Sequence, residues 1–288
     1  MNIEVLRNFL VLAGTLHFTR ASDKTFIAQP ALSRQIRQLE EEVGAQLFFR
    51  NKRNVELTSA GTYFRGEVER MLRQFDFAVR RTERLHRGEA GEIRIGYTHS
   101  AMQGFLPGLV HRIHEKLPDI RIVLLEYNNV RQYEALKNGD IDVGFSTNPE
   151  PHPDFHSKLM FRENFAVAFP EGHPAVMDEI GELAALKEES FIMPPKAEGP
   201  MYVAVLESIF VDAGFLPHIV HETPFASTAI RLVETGIGLT VEPVSSLRSY
   251  KGIKYAELKH IPQKVEIFML WLPVMEQQFP EMMELLKQ

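Results

Sequence analysis

The chain has 288 residues, 44% of them apolar, a formal net charge of −6 and no cysteine. Such a length suits two or three domains. The missing thiols exclude disulfides, a cysteine nucleophile and thiolate metal sites. No apolar run reaches membrane-spanning length, and Met1-Asn2-Ile3-Glu4 lacks the basic start of a secretory signal, so a cytoplasmic chain is expected. The net charge hides an asymmetry. Residues 1–87 carry 15 Lys and Arg against 10 Asp and Glu, a balance of +5, whereas the remainder carries 17 against 28, a balance of −11. A basic head on an acidic body points to a polyanionic partner for the head.

In chain order, Ile3 to Ala13 reads as a helix with Ile3, Leu6, Phe9, Leu10 and Ala13 on one face. Thr19 to Lys24 reads as a short helix and Phe26-Ile27-Ala28 as a turn. From Ala28 to Glu42 a second helix presents Leu32, Ile36 and Leu39 as a narrow apolar stripe. Gln29 and Pro30 occupy its first turn, where proline costs nothing because the N–H groups there lack intrahelical partners. Ser33, Arg34 and Arg37 lie on another side. Amide, hydroxyl and guanidinium groups on one exposed helix face are those that bond base edges and phosphates in a major groove. The pair of helices is thus expected to be a helix-turn-helix with a recognition helix.

Gln46 to Phe49 and Val55 to Leu57 flank Arg50-Asn51-Lys52-Arg53-Asn54 as short extended runs. They form either a wing whose Arg50, Lys52 and Arg53 reach DNA, or a solvated charged turn. Thr58 then caps a long helix. Phe64, Val68, Met71, Phe75, Ala78, Thr82 and Leu85 step along it as a heptad seam, which predicts pairing with a second copy, or else packing along its own body. Residues 87–91 read as a hinge.

Beyond Glu92 strands and helices alternate. Strands are expected at Ile93–Tyr97, Ile120–Glu126 and Ile141–Phe145, with helices at Phe105–Leu117 and Arg131–Asn138, an order that implies a parallel sheet. A second set follows, with strands at Phe165–Phe169, Ser190–Met193, His218–His221 and Leu239–Glu242. Its helices are Tyr202–Asp212 and Ser227–Thr235. Val265–Trp271 is a late strand and Pro280–Lys287 a late helix.

Three blocks near the start, F-T-R-A-S, A-Q-P-A-L-S-R-Q-I-R-Q-L-E-E-E-V-G-A-Q-L-F-F-R and L-T-S-A-G, resemble the DNA-binding domain of the LysR-type transcriptional regulators. Two positions depart from that pattern. Ala28 replaces a usual Ser, removing a helix cap worth about 1 kcal/mol. Thr25 replaces a usual Leu, with Phe26 expected to supply the apolar bulk. Later I-R-I-G-Y-T-H-S, L-K-N-G-D-I-D-V-G-F and V-E-T-G-I-G-L-T-V-E-P are similar, more loosely, to the effector domain of the same family.

The resemblance implies an α/β chain with an all-α winged helix-turn-helix head over residues 1–58 and a long dimerisation helix over 59–87. After a hinge at 88–91 comes a two-lobed, periplasmic-binding-protein-like (type 2) effector domain over 92–288. Lobe I is residues 92–161 plus 267–288, and lobe II is 162–266. It implies a transcriptional regulator and not an enzyme, with no cofactor, bound to double-stranded DNA at an interrupted palindrome and assembled as a dimer of dimers. It would act on RNA polymerase at the nucleoid. A small organic effector, inducer or co-repressor, would sit where strand ends meet between the lobes.

There the resemblance points to Thr98, His99, Ser100, Ala101, Asn129, Phe145 and Thr147 from lobe I, and to Pro200, Met201, Tyr202, Ser227 and Thr228 from lobe II. A helix beginning near Ala101 would offer N–H groups to a carboxylate, so an organic anion is expected, with Ser100 either contacting it or acting as an ordinary N-cap. His99 titrates near neutrality or is an ordinary loop histidine. Enzyme signatures are weak. Gly236-Ile-Gly238 lacks the third glycine of a phosphate loop, and no G-x-S-x-G elbow occurs. His111 and His114 have no evident third ligand.

Overall fold

The computed structural model describes residues 2–50, 55–86, 91–174 and 183–287. They gather into two compact units, Met1–Glu83 and Arg84–Gln288. The first opens with three helices, α1 (Ile3–Thr15), α2 (Phe18–Thr25) and α3 (Gln29–Val43). Their inward stripes bury Leu6, Phe9 and Leu12 of α1 against Leu32, Ile36 and Leu39 of α3, each 3% exposed or less. Gly44 ends α3 at φ 73, a left-handed conformation that suits a residue without Cβ. Phe26 ends α2 in the same region at φ 56 and is 96% exposed, so it does not replace the apolar bulk missing at position 25. Thr25 turns its hydroxyl back to the Ala21 carbonyl at 2.9 Å instead. Ala28 begins α3 without a side-chain cap.

A hairpin follows, β1 (Phe48–Arg50) antiparallel to β2 (Val55–Leu57), with Phe48 opposite Leu57 and Arg50 opposite Val55. Lys52 and Arg53 lie outside the described residues. Glu40 of α3 fixes the hairpin's start: one carboxylate oxygen accepts the N–H groups of Leu47 and Phe48 at 2.9 and 3.0 Å, a charge-assisted pair. Thr58 caps α4 (Ser59–His86) by accepting the Gly61 N–H at 2.9 Å, and donates its own proton to the Gln46 carbonyl at 2.7 Å.

The heptad seam expected along α4 divides between two surroundings. Phe64, Val68 and Leu72 join the core of their own unit, with Val68 2% exposed. Met71 and Phe75 remain 45% and 43% exposed, as does Val79 at 41%. The division runs along the helix and not around it: Val68, Phe75 and Val79 lie within about 40° of one another, and the head's core covers only the earlier turns.

The second unit holds β3 (Glu92–Tyr97), α5 (His99–Gly104), α6 (Leu106–Lys116), β4 (Arg121–Glu126), α7 (Asn129–Asn138), β5 (Val143–Thr147) and β6 (His156–Glu163). Next come β7 (Phe165–Pro170), β8 (Ser190–Met193), α8 (Pro200–Asp212), β9 (His218–Glu222), α9 (Ala226–Glu234), β10 (Thr240–Pro243) and α10 (Val244–Leu247). It closes with β11 (Ile253–Glu257), β12 (Val265–Trp271), α11 (Val274–Gln278) and α12 (Pro280–Leu286). The helix expected over Phe105–Leu117 is α6, one residue shorter at each end with Pro107 in its first turn, and the short α5 precedes it.

Neither sheet is wholly parallel, contrary to expectation. In lobe I the order is β4-β3-β5-β12-β6, with β3 parallel to β4 and β5 but β12 antiparallel to β5 and β6. Lobe II repeats the arrangement. β8 is parallel to β9, a parallel bridge joins Phe191 to Leu239 just before β10, and β7 is antiparallel to β10 and β11. Each lobe therefore has three parallel strands or runs and two further strands, β12 and β6 in lobe I and β7 and β11 in lobe II, of which only β12 comes from beyond a second crossing. Residues 163–165 make one crossing and 257–265 the other. Phe165 to Phe169 of β7 are all 0% exposed, as befits a strand covered on both faces. The strands β6 and β11 escaped the sequence reading, and both are edges with mostly half-buried or exposed residues.

Gly61 yields a direct test of the first unit. A Cβ there would stand 2.0 Å from the Leu47 carbonyl oxygen and 2.9 Å from its carbon, both backbone atoms. Gly61→Ala should therefore cost about 3 kcal/mol or more in urea unfolding of this unit. Unfolding midpoints equal to wild type would mean that the hairpin does not press on α4 there.

Candidate functional site

Two surfaces gather the side chains singled out in the sequence. On the first unit, α3 exposes Gln29, Pro30, Arg34 and Arg37, with Ser33 half-buried beside them. Leu32, Ile36 and Leu39 hold the opposite face down, and buried Asn8 donates to Gln35 at 2.9 Å across the α1–α3 contact. The polar face thus has a fixed rotation about the helix axis. Arg50 closes β1 in register with Val55.

In the second unit a cleft of about 710 Å³, its open mouth included, lies where the C-terminal ends of parallel strands from both lobes meet. Thr98, His99 and Ser100 enter it after β3, Asn129 after β4 and Thr147 at the end of β5. Three hydroxyls form a connected group: Thr147 Oγ1 lies 2.7 Å from both Thr98 Oγ1 and Ser100 Oγ. Asn129 holds Thr147 at both backbone groups, donating to its carbonyl at 2.6 Å and accepting its N–H at 3.1 Å. Asn128 caps α7 by accepting the Arg131 N–H at 2.8 Å, and its amide nitrogen donates to Glu198 of the other lobe.

Lobe II contributes Glu198, Gly199 and Tyr202 around the start of α8, Thr223 to Ala226 before and at α9, and Glu242, Pro243 and Ser246. Burial pushes the Glu242 carboxyl up to about 8, only partly offset by the Thr240 hydroxyl 3.2 Å away. Tyr202 is pushed well above its usual value by burial first, then by Glu242 and Glu163. Burial also raises Glu163, against the Ser245 hydroxyl and N–H that bond it at 2.6 and 2.8 Å. His99 is lowered by burial, with Glu126 at 3.6 Å pulling the other way.

Of the expected residues, Thr98, His99, Ser100, Asn129, Thr147 and Tyr202 line this cleft together. Ala101 and Phe145 are 0% exposed and lie outside its lining, Phe145 edge-on to Phe105 at 5.3 Å. Pro200 and Met201 border a neighbouring hollow with Tyr133 and His152. Ser227 and Thr228 also fall outside the lining, where Phe225 and Ala226 stand instead. Thr98, not Ser100, is the N-cap of α5, and its side chain makes no cap bond. The expected anion finds no matching charge. Glu126, Glu198 and Glu242 line the cleft, and no lysine or arginine among the described residues does. The sequence held one signal for Glu242, a lone acid inside the apolar strand L-T-V-E-P. Among the described residues no group of three or more metal-ligating side chains occurs, and no helix is long and apolar enough to cross a membrane.

Comparison with known proteins adds independent findings. Residues 3–62 match the profile described as bacterial regulatory helix-turn-helix protein, lysR family, and residues 86–286 match the LysR substrate binding domain. The chain is 34% identical over 267 residues to the HTH-type transcriptional regulator AlsR of Bacillus subtilis, covering 92% of this chain and 88% of that protein. It is also 34% identical over 264 residues to the HTH-type transcriptional regulator BenM of Acinetobacter baylyi, with 91% and 85% covered. The crystal structure of CbnR, a LysR family transcriptional regulator, matches with a TM-score of 0.60 at 25% identity, over 100% of this chain and 99% of that one.

Glu242 makes the second unit's stability depend on pH in a stated direction. An ordinary glutamate titrates near 4.5 and this one near 8. Below 4.5 both folded and unfolded forms are protonated and nothing is lost. Between 4.5 and 8 only the unfolded form ionises, so stability falls by about 1.4 kcal/mol per pH unit, and the loss is complete above 8. Glu242→Gln removes that slope. Relative to wild type, the variant should gain on the order of 4 kcal/mol between pH 5 and pH 8 in urea titrations. Parallel pH profiles for the two proteins would contradict the burial of an uncompensated carboxyl.

Proposed function

Because the chain belongs to the LysR family of transcriptional regulators, with a helix-turn-helix DNA-binding domain and a substrate-binding domain, we propose how it divides the work. It is a regulator, not an enzyme. The α3 face reads operator sequence in the major groove through Gln29, Pro30, Ser33 and Arg34. Arg37 and the wing residues Arg50, Lys52 and Arg53 hold phosphate or the adjoining minor groove. The observation that carries this reading is the α3 face itself. It is exposed, polar and held at one rotation by its buried side, and its arginines make no ion pair among the described residues. The small effector occupies the cleft between the lobes, in the cytoplasm, and its binding changes how the DNA-bound regulator meets RNA polymerase.

The open stripe Met71, Phe75 and Val79 on α4 supports pairing with a second copy, and hence two reading heads on a two-fold-related site. Pairs of dimers follow on a four-head operator. Phe75→Glu should shift the protein toward monomer in sedimentation while leaving the head folded. Val68→Glu should instead unfold the head, since Val68 is in its core. A Phe75→Glu protein that sediments as wild type would remove this stripe as the contact.

Arg34→Ala should cost about 1–3 kcal/mol on the preferred operator and relax sequence preference at one base pair. Lys52→Ala should weaken all sequences alike and flatten the salt dependence of binding. Fluorescence anisotropy with fragments selected by the protein itself distinguishes the two. Uniform loss across operator variants for both mutants would overturn the assignment of the reading face.

A further inference from the structure

The cleft wall carries acceptors without cations. Glu198 receives the Asn128 amide, and Glu126 faces His99, whose imidazole is held toward its neutral form by burial. Glu242 is 6% exposed and is bonded by the Thr240 hydroxyl. None of these partners is a permanent positive charge. A second observation stands apart from the carboxylates. Ser246, four residues after Glu242, is 0% exposed and lines the same cleft, and its Oγ has no hydrogen-bond partner. Buried hydroxyls are almost always paired, so an unpaired one facing a cavity marks a place for a ligand atom.

The opposite wall does not favour an anion. Thr147 Oγ1 lies 2.7 Å from the hydroxyls of both Thr98 and Ser100, which engages two of the three protons. A carboxylate placed there would break those bonds and sit near Glu126 and Glu198, with no lysine or arginine among the described lining residues. Tyr202, Val203, Pro224, Phe225 and Pro243 supply the remaining, largely apolar surface. Aromatic faces of that kind also attract cations.

Resting on the reading of this cleft as the effector site, we propose that its ligand is a small organic cation, a protonated amine on an apolar or aromatic body. Glu242 holds its proton in the empty cleft at pH 7 and gives it up to solvent as the cation enters, so that the ammonium donates to the resulting carboxylate and to Ser246 Oγ while the body lies against Tyr202 and Phe225. An ammonium has three protons and no acceptor, which matches a site rich in acceptors.

Three probes of one size separate the possibilities: benzylamine, benzyl alcohol and benzoate, titrated calorimetrically into the full-length protein at pH 7. Benzylamine should bind about tenfold or more tighter than either of the others. Glu242→Gln should weaken benzylamine about tenfold and leave benzyl alcohol nearly unchanged. Ser246→Ala, a milder change, should weaken benzylamine in the same sense. Tighter binding of benzoate, equal binding of amine and alcohol, no binding of any probe, or a Glu242→Gln protein that keeps its amine affinity would each overturn the cation assignment. Gly199→Leu separates this from failure of the cleft reading. A Cβ at Gly199 meets only ordinary contacts, at 3.7 Å from Asn129 and Tyr202, while the rest of the leucine fills the cleft. Amine binding that survives Gly199→Leu undiminished would place the ligand elsewhere and sink both. Binding lost in Gly199→Leu but with benzoate preferred in wild type would sink the cation alone.

Discussion

The second unit is organised by two crossings of the chain between its lobes. The chain lays down three strands of lobe I, runs through β6 and crosses at residues 163–165 so that β7 becomes the centre of lobe II. It returns at 257–265, and β12 takes the matching central place in lobe I, between β5 and β6. Lobe I is incomplete without β12 from beyond the second crossing, whereas lobe II is one continuous segment between the crossings, so the lobes stay joined by two short connections. Their parallel strands then end at a common gap. Placement of a ligand at the carboxyl ends of such strands is a consequence of this topology, not an addition to it.

That gap explains why polar groups are buried there at some cost. Glu163 lies at the first crossing and is held by the hydroxyl and N–H of Ser245 from α10. Ser245 also approaches the Ser100 carbonyl at 3.5 Å, so α10 touches α5 across the lobes. On the other side of the gap the Asn128 amide reaches Glu198. These are few and polar contacts. Interfaces of that character shift between arrangements more readily than apolar ones, which is what a ligand needs if its differential affinity is to move the lobes.

How much was legible in the sequence depended on burial. The α3 stripe Leu32, Ile36 and Leu39 announces itself because one buried face repeats at the helical period. Strands β8 and β12 are apolar runs bounded by breakers, and their limits, Ser190–Met193 and Val265–Trp271, fall where the sequence put them. Edge strands β6 and β11 carry charged and half-exposed residues and leave no such pattern. On α4 the seam was legible as a stripe, but not where along it the head's core ends: Val68 is inside, and Phe75, two turns further on the same face, is outside. In the cleft, Thr98, Ser100, Asn129 and Thr147 were readable because they directly follow strands. Glu198 and Ser246 come from a short turn and a four-residue helix, whose position depends on packing that no local pattern records.

If the effector acts by moving the lobes, their relative placement sets how the regulator engages DNA. Asn128 and Glu198 face one another across the gap, and the natural chain contains no cysteine. A protein carrying Asn128→Cys and Glu198→Cys can therefore be joined at that point alone with a short bismaleimide. Nuclease footprints of the joined and unjoined forms, on a DNA fragment selected by the protein itself, give the most direct reading. A footprint of altered length or cleavage pattern is expected when the lobes are joined. Identical footprints at equal occupancy would contradict it.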